Sequence, residues 1–220
     1  MIRTTAEELG FKAANTGCAL QYLIARAAFD TSRSTISHHA HTVLQLLAEV
    51  FETSLTSSSP HYHSIGYQQS LNELSSRLDN VHIAPRKEEG FGNDSQSLEL
   101  ARLAGLIYLE RVSRNFSGPS TRLGAWTKHA LTILATVQTS PPTFAIFIIG
   151  CEAHTDDDRM VFLDFFTRLE RVPHLKTLPE VKGLLHSAWI QKDLEGDVEL
   201  EYIHTINLVM SSRNAIPSFM

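Results

Sequence analysis

The amino-acid sequence predicts an all-α protein, an irregular array of about eight or nine helices. Apolar residues recur at three- and four-residue spacing in most segments of the 220-residue chain, which is typical of helices with one buried face. No segment alternates between apolar and polar residues, and no Asn-Gly or Asp-Gly pair separates β-branched runs, so strands and hairpins are not indicated. At 220 residues the chain can bury a core as one domain or at most two small ones, and we expect a single helical domain over residues 1–220.

The N-terminal half contains three predicted helices. Overlapping Thr-x-x-Glu capping boxes at residues 4–8 begin the first, which continues to Phe29. The second carries apolar residues at helical spacing from Val43 and ends near Leu55. The third extends from about Tyr67 to Val81. A stretch rich in Pro, Gly and charged residues, about 84–94, then predicts a mobile loop.

Five further helices are predicted beyond this loop, together with one buried segment that is assigned neither to a helix nor to a strand. Ser95 or Ser97 caps the first of these helices. Their ranges are about 95–109, 120–139, 155–169, 178–192 and 198–212.

The unassigned segment is the longest apolar run, Phe144–Cys151. Its composition predicts an element that is buried on every side. Its eight residues are too few for a bilayer-spanning helix, which needs roughly 20. They are also too few for periodicity to separate a buried helix from a buried strand. Directly after it, Thr155 followed by three aspartates at 156–158 predicts a capped helix start.

Composition excludes several classes of protein. A formal net charge of −5 without clustered Lys and Arg argues against a nucleic-acid surface on this chain. Two cysteines, Cys18 and Cys151, are too few for a disulfide framework or a cysteine zinc cluster. The absence of a secretion signal and of a long apolar segment predicts no membrane partner and an intracellular protein, nuclear or cytoplasmic. No cofactor-binding motif is present, so no cofactor is predicted.

Three segments of the second half resemble the fungal-specific transcription factor domain, the regulatory region that accompanies binuclear zinc clusters in fungal activators. They are A-R-L-A-G-L-I-Y-L-E-R at 101–111, F-I-I-G-C-E-A-H-T-D-D-D-R at 147–159 and L-L-H-S-A-W-I-Q-K-D at 184–193. The resemblance covers residues from about 95 to 220 well and the N-terminal half weakly.

The resemblance implies a regulatory or small-molecule-sensing domain that acts through a small hydrophobic metabolite, a protein partner or a homodimer. The family's zinc cluster needs six cysteines, and this chain has two, so direct DNA contact is not expected. Such a chain is either part of a longer regulator or a shorter stand-alone relative. For a stand-alone protein the alternative function is a cofactor-independent isomerase or cyclase of fungal secondary metabolism, since fold does not fix function.

Under the enzyme alternative, Glu152, His154 and His129 are the candidate catalytic residues, because a carboxylate and an imidazole beside a core can form an acid–base pair. The structural interpretation is that a buried Arg or backbone amides bind Glu152 while the aspartates cap a helix. The resemblance favours this second interpretation.

Two other groups of residues also have both a functional and a structural interpretation. Trp126, Trp189, Tyr108 and Phe147 are candidate ligand-binding residues that could line a pocket between helices, although aromatics at helical spacing are more often core. The histidines at 38, 39, 41, 61 and 63 are clustered, but without a Cys or carboxylate at ligand spacing they are interpreted as solvated, and no metal is predicted.

Overall fold

The computed structural model describes residues 38–52, 55, 59–81, 92–139, 141–170 and 178–195. Within these residues the chain forms seven α-helices and one π-helix and no strand, which confirms the all-α prediction. The predicted helices at 4–29 and 198–212 lie outside the described residues, as does most of the predicted loop at 84–94. The elements are α1 His38–Glu52, α2 Ile65–Asp79, α3 Gly92–Tyr108, the π-helix Leu109–Ser113, α4 Thr121–Leu134, α5 Thr143–Cys151, α6 Asp156–Leu169 and α7 Leu178–Glu195.

The apolar run Phe144–Cys151, which the sequence did not assign to a helix or a strand, lies in helix α5. All residues from Phe144 to Gly150 are buried, because α5 packs against both α3 and α7. A helix that is apolar all round has to be covered on every side. The other helices of the core supply that cover, and α5 lies between them.

Two glycines allow helices to approach closely. A Cβ atom at Gly150 would overlap Leu185 Cδ2 of α7 and lie 2.7 Å from Cδ1, and one at Gly105 would lie 2.5 Å from Leu47 Cδ2. Real Cβ atoms do not make contacts this short. The α5–α7 and α3–α1 packing distances therefore depend on these glycines.

Several predicted helix ends are wrong by a few residues. Helix α3 begins at Gly92, so residues 92–94 are not part of a loop and neither Ser95 nor Ser97 is its cap. The Ser97 hydroxyl lies 3.3 Å from Thr139 Oγ1 instead, which is a tertiary contact. Helix α4 ends at Leu134 rather than near Thr139.

The predicted start of α6 is confirmed. Thr155 Oγ1 accepts a hydrogen bond from the Asp158 amide at 3.1 Å, and the Asp158 carboxylate accepts one from the Thr155 amide at 3.4 Å. This reciprocal capping box satisfies two amides that have no partner within the helix. It fixes the position of α6 directly after α5.

None of the helices in these residues combines the length and the apolar character that crossing a membrane would require.

Candidate functional site

A buried ion pair joins the π-helix to the end of α5. Arg111 donates from Nε to Glu152 Oε1 at 2.9 Å and from Nη2 to Oε2 at 2.8 Å. The side chains are only 7% and 3% exposed, so both charges are removed from water. Two parallel charge-assisted bonds are the geometry in which an arginine holds a carboxylate most strongly.

The third nitrogen of Arg111 fastens the loop that follows the π-helix. Nη1 donates to the carbonyl oxygens of Phe116 at 3.0 Å and Gly118 at 2.9 Å. The π-helix contains the wide turn in which the Arg114 amide donates to the Leu109 carbonyl, five residues back, at 3.0 Å. Such a turn holds one more residue than an α-helical turn. Arg111 lies within this turn and is directed into the protein.

His154 and Lys192 lie on the solvent side of Glu152. His154 Nε2 is 3.6 Å from Glu152 Oε2, and Lys192 Nζ is 2.6 Å from His154 Nδ1. Burial raises the pKa of Glu152, but hydrogen bonds from His154 and Arg111 outweigh it, so this pKa lies below its ordinary value. Glu152 is therefore ionised at neutral pH.

A second set of contacts joins α5, α6 and α7 beside this ion pair. Trp189 Nε1 of α7 donates to the Gly150 carbonyl at 2.8 Å. The Arg159 guanidinium of α6 lies 5.7 Å from the Trp189 ring centroid and donates to both Asp193 oxygens, at 2.9 and 2.6 Å. We call the whole group the joint; its residues are Arg111, Gly150, Glu152, His154, Arg159, Trp189, Lys192 and Asp193.

The structure brings together two of the three predicted catalytic residues. Glu152 and His154 are neighbours, whereas His129 Nδ1 of α4 lies 3.7 Å from Glu99 Oε1. Glu99 precedes Arg111 by twelve residues along one continuous helical segment, a distance of about 18 Å at a rise of 1.5 Å per residue. His129 therefore lies far from the joint.

The chemistry of Glu152 favours the structural interpretation over acid–base catalysis. Both carboxylate oxygens accept hydrogen bonds from Arg111, and the lowered pKa opposes protonation near neutral pH. A general acid or base works best with a pKa near the operating pH. Of the two partners that the sequence left open for Glu152, a buried arginine or backbone amides, the structure shows the arginine, Arg111.

The four aromatic residues predicted to bind a ligand lie in different surroundings. Tyr108 contacts the Phe51 ring with centroids 5.0 Å apart, Phe147 is 1% exposed in the core, and Trp126 lies 4.9 Å from the Arg122 guanidinium. Trp189 belongs to the joint. Their assignment to a ligand site stays a prediction.

A surface cavity of about 230 Å³ lies between α1 and α2, and none of the predicted ligand-binding aromatics lines it. Its lining is mostly charged, and Arg77 and Glu49 within it form a salt bridge. No group of three potential metal ligands occurs among the residues that the structure describes. The residues lining the cavity are Glu49, Glu52, Ser70, Glu73, Leu74 and Arg77.

Comparison with known proteins decides the family. The sequence matches the profile of the fungal specific transcription factor domain over residues 20–210, which is most of the chain. The chain belongs to this family. It is similar to transcription factor iacI of Pestalotiopsis fici, with 30% identity over 130 residues. That alignment covers 58% of this chain and 34% of the relative, so the chain corresponds to about a third of the relative's length. No solved structure matches the chain.

The three segments that carry the family resemblance meet at the joint. The first ends at Arg111, the second contains Gly150, Glu152 and Arg159, and the third contains Trp189 with Lys192 and Asp193. Contacts among these residues connect all three segments. Residues of all three segments thus build the connection between helices in this chain.

Proposed function

We propose that this chain is a regulatory helical domain of the fungal transcription factor type. It acts through a small hydrophobic metabolite or a protein partner, and it makes no DNA contact of its own. Membership of the family over residues 20–210 carries this proposal. A domain of this kind acts in the nucleus.

The charge of the chain and its similar relative support the proposal. A formal net charge of −5 disfavours approach to the phosphate backbone, which requires clustered cationic side chains. The relative that aligns over 130 residues is named a transcription factor. The transcriptional role of that protein, transferred to this chain, is the role proposed here.

The geometry of the joint favours regulation over the isomerase or cyclase alternative. Both carboxylate oxygens of Glu152 accept hydrogen bonds from Arg111, and His129 lies beside Glu99 in the middle of α3, far from the joint. The three candidate catalytic residues therefore do not face one substrate position.

A reporter assay tests the regulatory role. The chain is fused to an unrelated DNA-binding module in a fungal host, and transcription from that module's promoter is compared with the module alone. We expect a severalfold change in transcription that is lost in Arg111→Met, because this variant breaks the joint, and retained in Lys128→Met, which changes an exposed residue of α4. Unchanged transcription at equal protein level, with and without an extract of fungal metabolites, would contradict the proposal.

An electrophoretic mobility assay tests the absence of DNA contact. We expect the purified chain to leave promoter DNA unshifted at about 150 mM salt, where non-specific phosphate contacts are screened. A sequence-specific shift at this ionic strength would show that the chain reads DNA directly.

A further inference from the structure

Lys192 of α7 contacts an imidazole instead of a carboxylate. Its Nζ lies 2.6 Å from Nδ1 and 3.5 Å from Nε2 of His154. Two cations at this distance would repel each other strongly, so at least one of the two side chains is neutral. The contact is therefore a hydrogen bond between an amine and an imidazole, in which one nitrogen donates and the other accepts.

Glu152 determines which nitrogen of the imidazole accepts. Its Oε2 lies 3.6 Å from His154 Nε2, and a carboxylate next to one ring nitrogen favours the proton on that nitrogen. Nδ1 is then left with a lone pair that faces Lys192 Nζ. The three groups form a carboxylate–imidazole–amine series, and such a series activates a nucleophile because the imidazole accepts its proton.

The surroundings of Lys192 also favour a neutral amine. Partial burial lowers the pKa of Lys192 most, and the guanidinium groups of Arg111 and Arg159 lower it further. Glu152 and Cys151 act in the opposite direction, but the pKa of Lys192 stays below its ordinary value of 10.5. A larger fraction of this amine therefore carries a free lone pair at neutral pH than in an ordinary lysine.

The other two lysines in the described part of the chain have different surroundings. Lys182 Nζ donates to Glu170 Oε1 at 2.7 Å, and a carboxylate partner favours the charged ammonium. Lys128 lies on the exposed side of α4. Lys192 and His154 are themselves exposed, so a small molecule can reach the amine. Lys192 thus combines access from solvent with an adjacent proton acceptor.

We propose that Lys192 is a covalent capture site for small molecules that carry an aldehyde. Lysine amines form Schiff bases with such carbonyl compounds. The ammonium passes one proton to His154 Nδ1, and the lone pair left on Nζ bonds to the carbonyl carbon while the π electron pair of the C=O bond moves to oxygen. The two protons remaining on nitrogen go to that oxygen, which leaves as water, and a C=N bond forms. This proposal does not depend on the regulatory role proposed above.

Reductive labelling of the full chain tests this site. The purified protein is treated at neutral pH with benzaldehyde, in an amount below that of the protein, and with cyanoborohydride, which reduces the imine to a stable amine. Mass spectrometry of the peptides then gives the labelling rate at each lysine. We expect Lys192 to react at least about tenfold faster than Lys128, because proton transfer to a positioned base typically contributes this factor or more. Equal rates at the two lysines would overturn the proposal.

Replacing His154 tests the role of the imidazole. His154 is exposed, so His154→Ala should keep the fold, which circular dichroism checks. We expect labelling of Lys192 to lose most of its advantage over Lys128, and imidazole added to the buffer to restore part of it, because free imidazole can accept the same proton. The matched control His129→Ala, at a histidine of α4 that is 55% exposed, should leave the rate at Lys192 unchanged. An unchanged rate at Lys192 in folded His154→Ala would refute the proposal.

Discussion

Replacing Glu152 by Gln removes the buried carboxylate charge while keeping the size of the side chain. The amide offers one acceptor where Arg111 now donates to two oxygens, at 2.9 and 2.8 Å. It also places an NH2 donor against a guanidinium that has only donors. The guanidinium charge is then left in the protein interior without its counter-charge.

The expected loss follows from the burial of the pair. Breaking a buried ion pair by removing one partner costs about 3–5 kcal/mol, and the exposed fractions of 7% and 3% leave little room for solvent to compensate. Arg111 keeps its bonds to the Phe116 and Gly118 carbonyls, so we expect a value near the lower end, about 3 kcal/mol. That is a large part of a total domain stability of about 5–15 kcal/mol.

Urea unfolding followed by circular dichroism measures this loss in a double-mutant cycle. The variants are Glu152→Gln, Arg111→Met and their combination, and we expect the combination to cost less than the sum of the two, by about 0.5–3 kcal/mol. The matched control is Glu49→Gln. Arg77 and Glu49 form a salt bridge in which the side chains are 43% and 32% exposed. We therefore expect Glu49→Gln to lower the free energy of unfolding by at most about 1 kcal/mol. If Glu152→Gln costs no more than Glu49→Gln, the ion pair does not hold the joint together.

Three other predictions concern the same region. The pKa of Glu152 is lower in the folded state than its ordinary value of 4.5. The contribution of its charge to the free energy of unfolding is therefore complete above that value and is lost as the pH falls through the folded-state pKa. The difference in unfolding free energy between the unaltered chain and Glu152→Gln should therefore shrink below about pH 4.5, and a constant difference from neutral pH down to pH 3 would contradict this origin. Gly150→Ala should cost about 1–3 kcal/mol through overlap with Leu185, and thermal denaturation should show a smaller cost in a Leu185→Ala background; an equal cost in both backgrounds would remove Leu185 as the cause. Thr155→Ala should cost about 1 kcal/mol by loss of the cap on Asp158, whereas Thr155→Ser, which keeps a hydroxyl, should cost clearly less in the same urea assay.

The helices were predictable where they have one buried face. Apolar spacing located α2, α4 and α6 because the pattern along the chain repeats with the turn of the helix. The same argument could not assign α5, since an apolar run with no polar side has no periodicity to read. Helix ends were less predictable, as Ser97 shows, because a serine near a helix start can bond to a distant residue such as Thr139.

The joint was predictable in part. The position of Glu152 after a buried run indicated a buried charge that needs a partner, and the sequence left open whether that partner is a buried arginine or backbone amides. Sequence alone did not single out Arg111, because its direction depends on the π-helix at Leu109–Ser113, and no residue pattern in that segment marks a turn one residue wider. The resemblance contained Arg111 as the last residue of its first segment but gave it no role.

Under the proposed regulatory role, the ion pair between Arg111 and Glu152 affects how a genetic screen on this chain should be interpreted. A screen for alleles that lose a transcriptional response would recover substitutions at these two positions, because the two side chains are buried against each other. Such alleles would lower the amount of folded protein at every concentration of a small-molecule effector, and so they would differ from alleles that shift the effector concentration needed for response. Measuring protein abundance beside the dose–response curve would separate the two kinds of allele.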